Sequence, residues 1–117
     1  MAGKRLPIVF APRYTTYAGS GDFPSVGIDV SPFDTIVLNV WRGVIVGGGS
    51  FNFKLQRSTD QTEWTTCAGW PFAPGEGAES QLETSINDRY LRLVAVQDSM
   101  AQVTTCYAFG YFVRRVR

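Results

Sequence analysis

The sequence predicts an all-β fold, an antiparallel β-sandwich of jelly-roll type with about seven or eight strands and an extended N-terminal arm. Several short segments alternate between apolar and polar residues, which is the pattern of a strand with one buried face. Aromatic residues make up 14% of the chain, and 12 Gly and 6 Pro interrupt it. That composition favours strands and turns. No segment has the apolar period of about 3.6 residues that an amphipathic helix requires.

The length of 117 residues is the usual size of one domain, and a 44% apolar content can supply its core. Composition changes near residue 25. We therefore divide the chain into an extended N-terminal arm, residues 1–25, and a β-sandwich domain, residues 26–117.

The predicted arm is interrupted by Pro7, Pro12 and Pro24, too often for a central strand or a helix. It is nevertheless too apolar for a disordered tail. We expect it to lie extended on a surface, which either its own domain or a neighbouring subunit could provide. The residues predicted to contact a partner are Ile8, Val9, Phe10, Tyr14 and Tyr17, with Arg13 fixing the register.

The sandwich strands are predicted from alternation and turn residues. The clearest alternation places Phe51, Phe53 and Leu55 on a buried face. The glycine tract 47–49 connects this strand to the one before it as a hairpin. The predicted strands cover residues 26–30, 35–46, 51–57, 63–67, 81–86, 89–96 and about 103–114.

Two groups of aromatic residues have more than one interpretation. Trp70 and Phe72 lie in the longest predicted loop, where they either close one end of the sandwich or form exposed anchors for a partner. In the last strand, Tyr107, Phe109 and Tyr111 share one face. Together with nearby arginines they could bind single-stranded nucleic acid, but packing in the core is the simpler explanation, and we expect it.

The charges nearly balance, with 11 Lys and Arg against 10 Asp and Glu. This disfavours a dedicated nucleic-acid or membrane binder, so we expect neither a specific nucleic acid nor a membrane as partner. Basic residues do gather near both ends of the sequence. We interpret these ends as solvated, with Arg114, Arg115 and Arg117 as possible contacts to an acidic partner or a phosphate.

The residue types most used in catalysis are missing or scattered in the sequence, and a carboxylate pair, Asp60 with Glu63 or Glu76 with Glu79, is only a formal alternative because these acids fall in turns and a loop. The chain has no His, the commonest general base and zinc ligand. The acidic residues are scattered, and no calcium-loop or phosphate-loop motif occurs. We therefore predict no catalytic residue, no metal site and no cofactor. Cys67 and Cys106 are expected to be free buried thiols, with a disulfide as the alternative. Without a signal-peptide pattern or a membrane span, we expect synthesis in a cytoplasm.

Two stretches resemble known modules. Residues 53–64, FKLQRSTDQTEW, resemble a strand–turn–strand of discoidin-like and related jelly-roll modules, and residues 88–93, DRYLRL, are similar to a strand that follows it there. The ligand-gripping loops of discoidin modules have no counterpart here, so the resemblance implies the hairpin and the fold alone. The chain is also similar in architecture to accessory proteins of tailed-phage virions, in which a compact β domain carries an extended arm that lies on the shell.

That second resemblance implies a virion structural protein, most simply a capsid decoration or cement protein. It would be made in the host cytoplasm and bind a capsid protein or another virion protein as a homo-oligomer. Two alternatives remain open at this point. One is another virion part such as a tail component. The other is a glycan-binding or ligand-binding module in which Trp70 and Phe72 stack on sugar rings.

Overall fold

Residues 4–114, the part of the chain that the computed structural model describes, contain nine strands in two antiparallel sheets. No helix occurs among these residues, and accordingly no helix of the described chain could span a membrane. The prediction of an all-β antiparallel sandwich is confirmed. The strands are β1 (Lys4–Ala18), β2 (Gly21–Pro24), β3 (Ile28–Asp29), β4 (Thr35–Val46), β5 (Phe51–Ser58), β6 (Thr65–Thr66), β7 (Ser80–Ser85), β8 (Tyr90–Gln97) and β9 (Val103–Arg114).

The first sheet has four strands in the order β1–β9–β4–β7. Its centre is the pairing of β9 with β4, the two 12-residue strands, in which Trp41 is opposite Tyr107 and Val37 is opposite Tyr111. The second sheet has five strands in the order β2–β8–β5–β6, and β3 pairs with β8 beside β2. The chain passes from the first sheet to the second between β1 and β2. The two sheets share one core, to which strands of both contribute buried side chains.

The core lies between the sheets and follows the alternation in the sequence. On β5, Phe51, Phe53 and Leu55 are buried, as predicted. On β9 the buried inner face is made of small residues, Cys106 and Ala108, and of Phe112. The other buried core residues are Ala11, Val30, Ile36, Leu38, Val40, Cys67, Trp70, Leu91, Leu93 and Ala95.

The first residues do not form an arm separate from the sandwich. They are extended, as expected, but β1 pairs with β9 of the same chain from Lys4 opposite Arg114 to Ala18 opposite Val103. β2 likewise pairs with β8. The boundary at residue 25 is therefore wrong for the described residues. Prolines are tolerated because β1 and β2 lie at sheet edges, where a missing backbone N–H breaks no ladder on the outer side.

The turn after β5 explains the stretch that resembles jelly-roll hairpins. Asp60 Oδ1 accepts hydrogen bonds from the backbone N–H groups of Thr62 and Glu63, and Ser58 Oγ accepts them from those of Asp60 and Gln61. The bonds from Thr62 and Glu63, and after them one that the Ser58 hydroxyl donates to Asp60 Oδ1, lower the pKa of Asp60. Short polar side chains thus satisfy the backbone of the turn.

Candidate functional site

The outer face of the four-stranded sheet carries a row of five aromatic side chains, which we call the aromatic strip: Tyr14, Trp41, Tyr107, Phe109 and Tyr111. Strand alternation places the last three together on one side of β9. The opposite side of β9, with Cys106 and Ala108, faces the core. The expectation that these rings pack in the core is therefore wrong for Phe109 and Tyr111, which are half-buried. Tyr107 is buried, with 7% of its surface exposed, but on the outer face and not between the sheets.

The rings of the strip pack mainly against one another. Trp41 and Tyr107 are stacked, with centroids 5.2 Å apart and planes 10° apart. The ring of Tyr14 lies 5.5 Å from that of Trp41 and 6.1 Å from that of Tyr107, and Tyr107 lies 5.5 Å from Phe109. One face of Trp41 and one face of Tyr107 are therefore turned toward each other, whereas Tyr14 is tilted by 54° and 57° against these two rings.

Two arginines of β1 lie over the remaining ring faces. The guanidinium carbon of Arg13 is 4.4 Å from the centroid of Tyr107 and 5.1 Å from that of Phe109. The guanidinium of Arg5 lies 4.9 Å from the centroid of Tyr111. Such cation–π contacts are favourable by about 0.5–1 kcal/mol at exposed sites. They hold cationic groups at the surface of an otherwise apolar strip.

Glu79, just before β7, adds a negative charge to the strip. The Tyr107 hydroxyl donates a hydrogen bond to Glu79 Oε1, and Arg13 Nη2 lies 3.8 Å from the same oxygen. Burial, followed by the adjacent carboxylate, raises the pKa of Tyr107, so its hydroxyl remains a donor at neutral pH. At this point of the strip a cation, Arg13, and an anion, Glu79, therefore lie side by side.

Exposure is greatest at the β1 side of the strip. The side chains of Tyr14 and Val9 are 65% and 57% exposed. Between them the register of β1 shifts twice against β9, because of irregularities between Val9 and Thr15. There a shallow groove of about 260 Å³ opens, lined by Val9, Ala11, Pro12, Arg13 and Phe109. The β7 side of the same face is polar, and Gln81 Nε2 donates to Asn39 Oδ1 at 3.2 Å.

The residues predicted as arm anchors divide into two groups. Val9, Arg13 and Tyr14 are on the outer face, at the strip. Ile8, Phe10 and Tyr17 instead pack against the core of their own chain, and Tyr17 also stacks on Phe23 at 4.9 Å. The assignment of these three as partner contacts is corrected, since alternation along β1 turns them inward.

Trp70 and Phe72 close the sandwich from inside and are not exposed anchors. Trp70 is 8% exposed, and its Nε1 donates to Thr84 Oγ1 at 3.0 Å. Phe72 packs against the core, and its backbone is bridged to that of Phe53 by two hydrogen bonds of 2.9 Å. The prediction that this loop binds a partner, and with it sugar stacking on these two rings, is therefore corrected.

The basic residues near the C-terminus are described only in part. Arg114 is exposed at the end of β9. Arg115 and Arg117 lie outside the described residues. Sequence reasoning missed Trp41 and Glu79. The signal for Trp41 was present, since it shares one face of its predicted strand with Val37 and Asn39, whereas nothing local singles out Glu79.

Chemistry-bearing groups elsewhere are dispersed or buried. Within residues 4–114, no group of three or more His, Cys, Asp or Glu side chains is placed to hold a metal ion. Cys67 and Cys106 are free and buried, as expected. Burial raises the pKa of Cys67 to about 11 and that of Cys106 to about 12. Both groups are therefore neutral thiols at physiological pH, and poor nucleophiles.

Comparison with known proteins relates the fold to two kinds of protein. No family model and no curated protein sequence matches the chain. Among solved structures, a chain of infectious bursal disease virus, strain Gx, is similar over 97% of this chain with a TM-score of 0.63 and 9% identity. This protein spans only 32% of that viral chain. The CBM22-1 xylan-binding domain of Paenibacillus barcinonensis Xyn10C is similar over 99% of this chain and 98% of the domain, with a TM-score of 0.52 and 9% identity. At such identities the likeness is one of fold: a β-sandwich that occurs both in a virus and in a carbohydrate-binding module.

Proposed function

We propose that this protein is a non-enzymatic structural protein that associates with further copies of itself through the aromatic strip, as part of a larger assembly. The observation that carries the proposal is the way the strip is covered. Trp41 stacks on Tyr107 and Arg13 lies over Tyr107 and Phe109, while the Tyr14 ring and the charged groups of Arg13 and Glu79 remain exposed.

This arrangement favours a protein partner over a sugar. A sugar that stacks on an aromatic side chain needs a flat, free ring face. In the strip the faces of Trp41 and Tyr107 are turned toward each other, and Arg13 lies over Phe109. Tyr, Trp and Arg are the residues most enriched at the energetic centres of protein interfaces.

The size of the face suits an interface between copies. Twelve residues of β4 or β9 at about 3.3 Å each span about 40 Å, the six residues of β7 span about 20 Å, and each strand is about 4.8 Å wide. The face therefore offers roughly 670 Å², somewhat below the roughly 800 Å² per partner of a standard interface.

The charges of the strip are self-complementary. In a two-fold contact the same patch meets itself, so each cation can face the anion of the other copy. Arg13 and Glu79 are close enough for this exchange, at 3.8 Å, and both side chains are substantially exposed. A second copy is therefore the partner that the surface fits.

We further propose that the assembly is a virion, where the protein would act as a structural component such as a capsid decoration or cement protein, in contact with a capsid or other virion protein. The architectural resemblance to phage accessory proteins and the fold shared with a viral chain support this. A tail component has the same physics. In each case the affinity of many copies of one weak contact adds up on a lattice.

Sedimentation velocity over a range of protein concentrations tests the proposal. The parent should associate as concentration rises, and Tyr14→Ala should weaken association at least tenfold, because it removes the most exposed ring of the strip. Tyr90→Ala is the matched control, since Tyr90 lies on β8 in the five-stranded sheet. A parent that stays monomeric at several hundred micromolar, or a Tyr14→Ala variant that associates like the parent, would refute the proposal.

The same variants separate the glycan-binding alternative. We expect no binding of the parent to an array of plant and bacterial polysaccharides. Binding of a glycan that Tyr14→Ala abolishes and Tyr90→Ala leaves intact would replace self-association by glycan recognition as the function of this face.

A further inference from the structure

We infer that the free edge of β7 pairs with β7 of a second copy, which joins two four-stranded sheets into one continuous antiparallel sheet. This contact lies at the rim of the sheet, whereas the aromatic strip lies on its face. The inference therefore does not rest on the proposed function, and the two contacts can fail separately.

The strand β7 is the only long and regular edge strand within residues 4–114. It has six residues without proline, and its register against β4 is unbroken. The opposite edge of the same sheet, β1, contains Pro7 and Pro12 and shifts its register twice. In the second sheet, β2 has four residues and ends at Pro24, and β3 and β6 have two residues each. Proline, irregularity and shortness are ways in which an edge avoids pairing with another chain, and β7 has none of them.

The backbone groups on the outer side of β7 are available for pairing. The N–H of Ile86, directly after β7, donates to the Asp34 carbonyl at 2.8 Å and continues the register of β7 against β4. Because successive residues of a strand direct these groups to alternate sides, the even-numbered residues of β7 face β4, while Gln81 and Glu83 face away from it. Within residues 4–114, β7 pairs with no strand except β4, and no turn or loop forms a backbone hydrogen bond to it.

The space beside the second half of β7 is open. A cleft of about 270 Å³ lies there, and its lining includes Thr84 and Ser85 of β7 and, beyond β6, Cys67 and Ala68. A strand of a second copy can therefore reach this edge without displacing part of the chain.

The sequence of β7 is self-complementary in one register. A two-fold axis at Leu82 places Leu82 opposite its own counterpart and pairs Gln81 of each copy with Glu83 of the other. The outward backbone groups of both copies then meet in about four hydrogen bonds. The exposed side chains of Gln81 and Glu83 also come to lie opposite each other, an amide against a carboxylate. The next two-fold registers toward either end would place Glu83 opposite Glu83 or opposite Glu79, where like charges repel. The partner that fits this edge is therefore a second copy of the chain.

An edge contact changes what self-association can build. A single two-fold contact ends at a dimer, whereas two different two-fold contacts on one subunit join dimers into larger assemblies. A pair of short strands is marginally stable alone. We therefore expect the edge contact to be the weaker of the two and to appear as association beyond the dimer.

Sedimentation velocity up to several hundred micromolar protein tests the inference. The parent should form species larger than a dimer. Glu83→Pro removes an outward N–H and no bond to β4, so it should fold, as circular dichroism can show, and weaken association beyond the dimer at least tenfold. Glu83→Ala is the matched control because it keeps the N–H, and its association should stay within about threefold of the parent's.

The register also predicts opposite effects of two substitutions at one exposed position. Gln81→Lys places a cation opposite Glu83 and should strengthen association beyond the dimer about threefold. Gln81→Glu places an anion there and should weaken it by about the same factor. Neither substitution alters the backbone, so this pair of variants tests the inference even if Glu83→Pro does not fold.

Three results would overturn the inference: a parent whose association ends at the dimer and is unaffected by Glu83→Pro, a folded Glu83→Pro variant that associates like the parent, or effects of the same sign for the two Gln81 variants. A parent dimer that Tyr14→Ala leaves intact and Glu83→Pro abolishes would support the edge contact and refute association through the strip. A parent that stays monomeric would refute both.

Discussion

Replacing Gly110 with Ala should disrupt the pairing of β9 with β4, on which both the core and the aromatic strip depend. Gly110 lies in the middle of β9, opposite Leu38 on one side and Ile8 on the other. A Cβ atom at this position would lie 1.9 Å from the carbonyl oxygen of Val37 and 3.0 Å from the Cα of Leu38. Both neighbours are backbone atoms, so no side chain can rotate away.

The cost follows from the displacement required. To restore a contact of about 3 Å, the two strands must separate locally by about 1 Å, and hydrogen bonds of the ladder are lost at that distance. Overpacking costs about 1–3 kcal/mol, and each of two lost backbone bonds costs about 1 kcal/mol. The sum is about 3–5 kcal/mol. For a domain of this size it corresponds to a fall in melting temperature of about 12–20 °C.

Thermal unfolding followed by circular dichroism measures this effect. Gly75→Ala is the matched control, because Gly75 has no heavy atom within 4 Å of the added methyl position and does not have a positive φ. It should melt within about 2 °C of the parent. A Gly110→Ala variant that melts within about 3 °C of the parent would mean that β9 and β4 do not approach each other as described.

Two further predictions concern the buried loop and the thiols. Trp70→Phe removes the indole N–H that donates to Thr84. We expect urea denaturation to show that the free energy of unfolding falls by about 1 kcal/mol and that self-association is unchanged. A folded variant that no longer associates would mean that this loop is a contact surface. Burial raises the pKa of Cys67 from 9.0 to about 11. A thiol whose pKa is raised by folding contributes its full stabilisation below the pKa of the unfolded chain, and this contribution is lost as the pH rises through the pKa of the folded protein. The melting temperature should therefore fall between pH 9 and pH 11, and it should fall less in Cys67→Ala; equal falls in the parent and the variant would contradict the assignment.

The alternation of apolar residues was sufficient to predict the fold and most strand positions. The strand predicted over about 103–114 matches β9. The hairpin predicted around residues 47–49 is wrong, because β4 and β5 lie in different sheets and do not pair; the glycine tract instead carries the chain from one sheet to the other. The strands predicted over 26–30 and 63–67 are reduced to two-residue pieces, β3 and β6. Backbone hydrogen bonding to a neighbour, which local sequence does not encode, decides how far such a short segment pairs.

The inward face of β9 could not be predicted from the strand itself. Its two faces are both apolar, one with Cys106 and Ala108 and the other with large rings. Size alone suggested that the rings fill the core. The opposite sheet and the loop before β7 already supply Phe51, Phe53 and Trp70 to that space, so close packing leaves room only for small side chains on the inner face of β9.

The position of β1 was misjudged for a related reason. Prolines exclude a central strand but not an edge strand, and the sequence does not say which strands lie at the edges. Once β1 is placed beside β9, alternation assigns Ile8 and Phe10 to the core and Val9 to the surface. The part of the functional surface that was predicted, Val9, Arg13 and Tyr14, follows from this segment, whereas Trp41 and Glu79 join it only through the sheet.

Hydroxyl-radical footprinting at low and high protein concentration tests most directly whether the outer face of the four-stranded sheet is the surface that copies of this protein share. Met100, 88% exposed in the turn between β8 and β9, and Val26, 80% exposed between β2 and β3, serve as internal references. Self-association through the aromatic strip predicts that oxidation of Tyr14 and Val9 falls several-fold at high concentration while oxidation of Met100 and Val26 is unchanged. Equal oxidation of Tyr14 at both concentrations, in a sample that sedimentation shows to be associated, would place the contact elsewhere on the molecule.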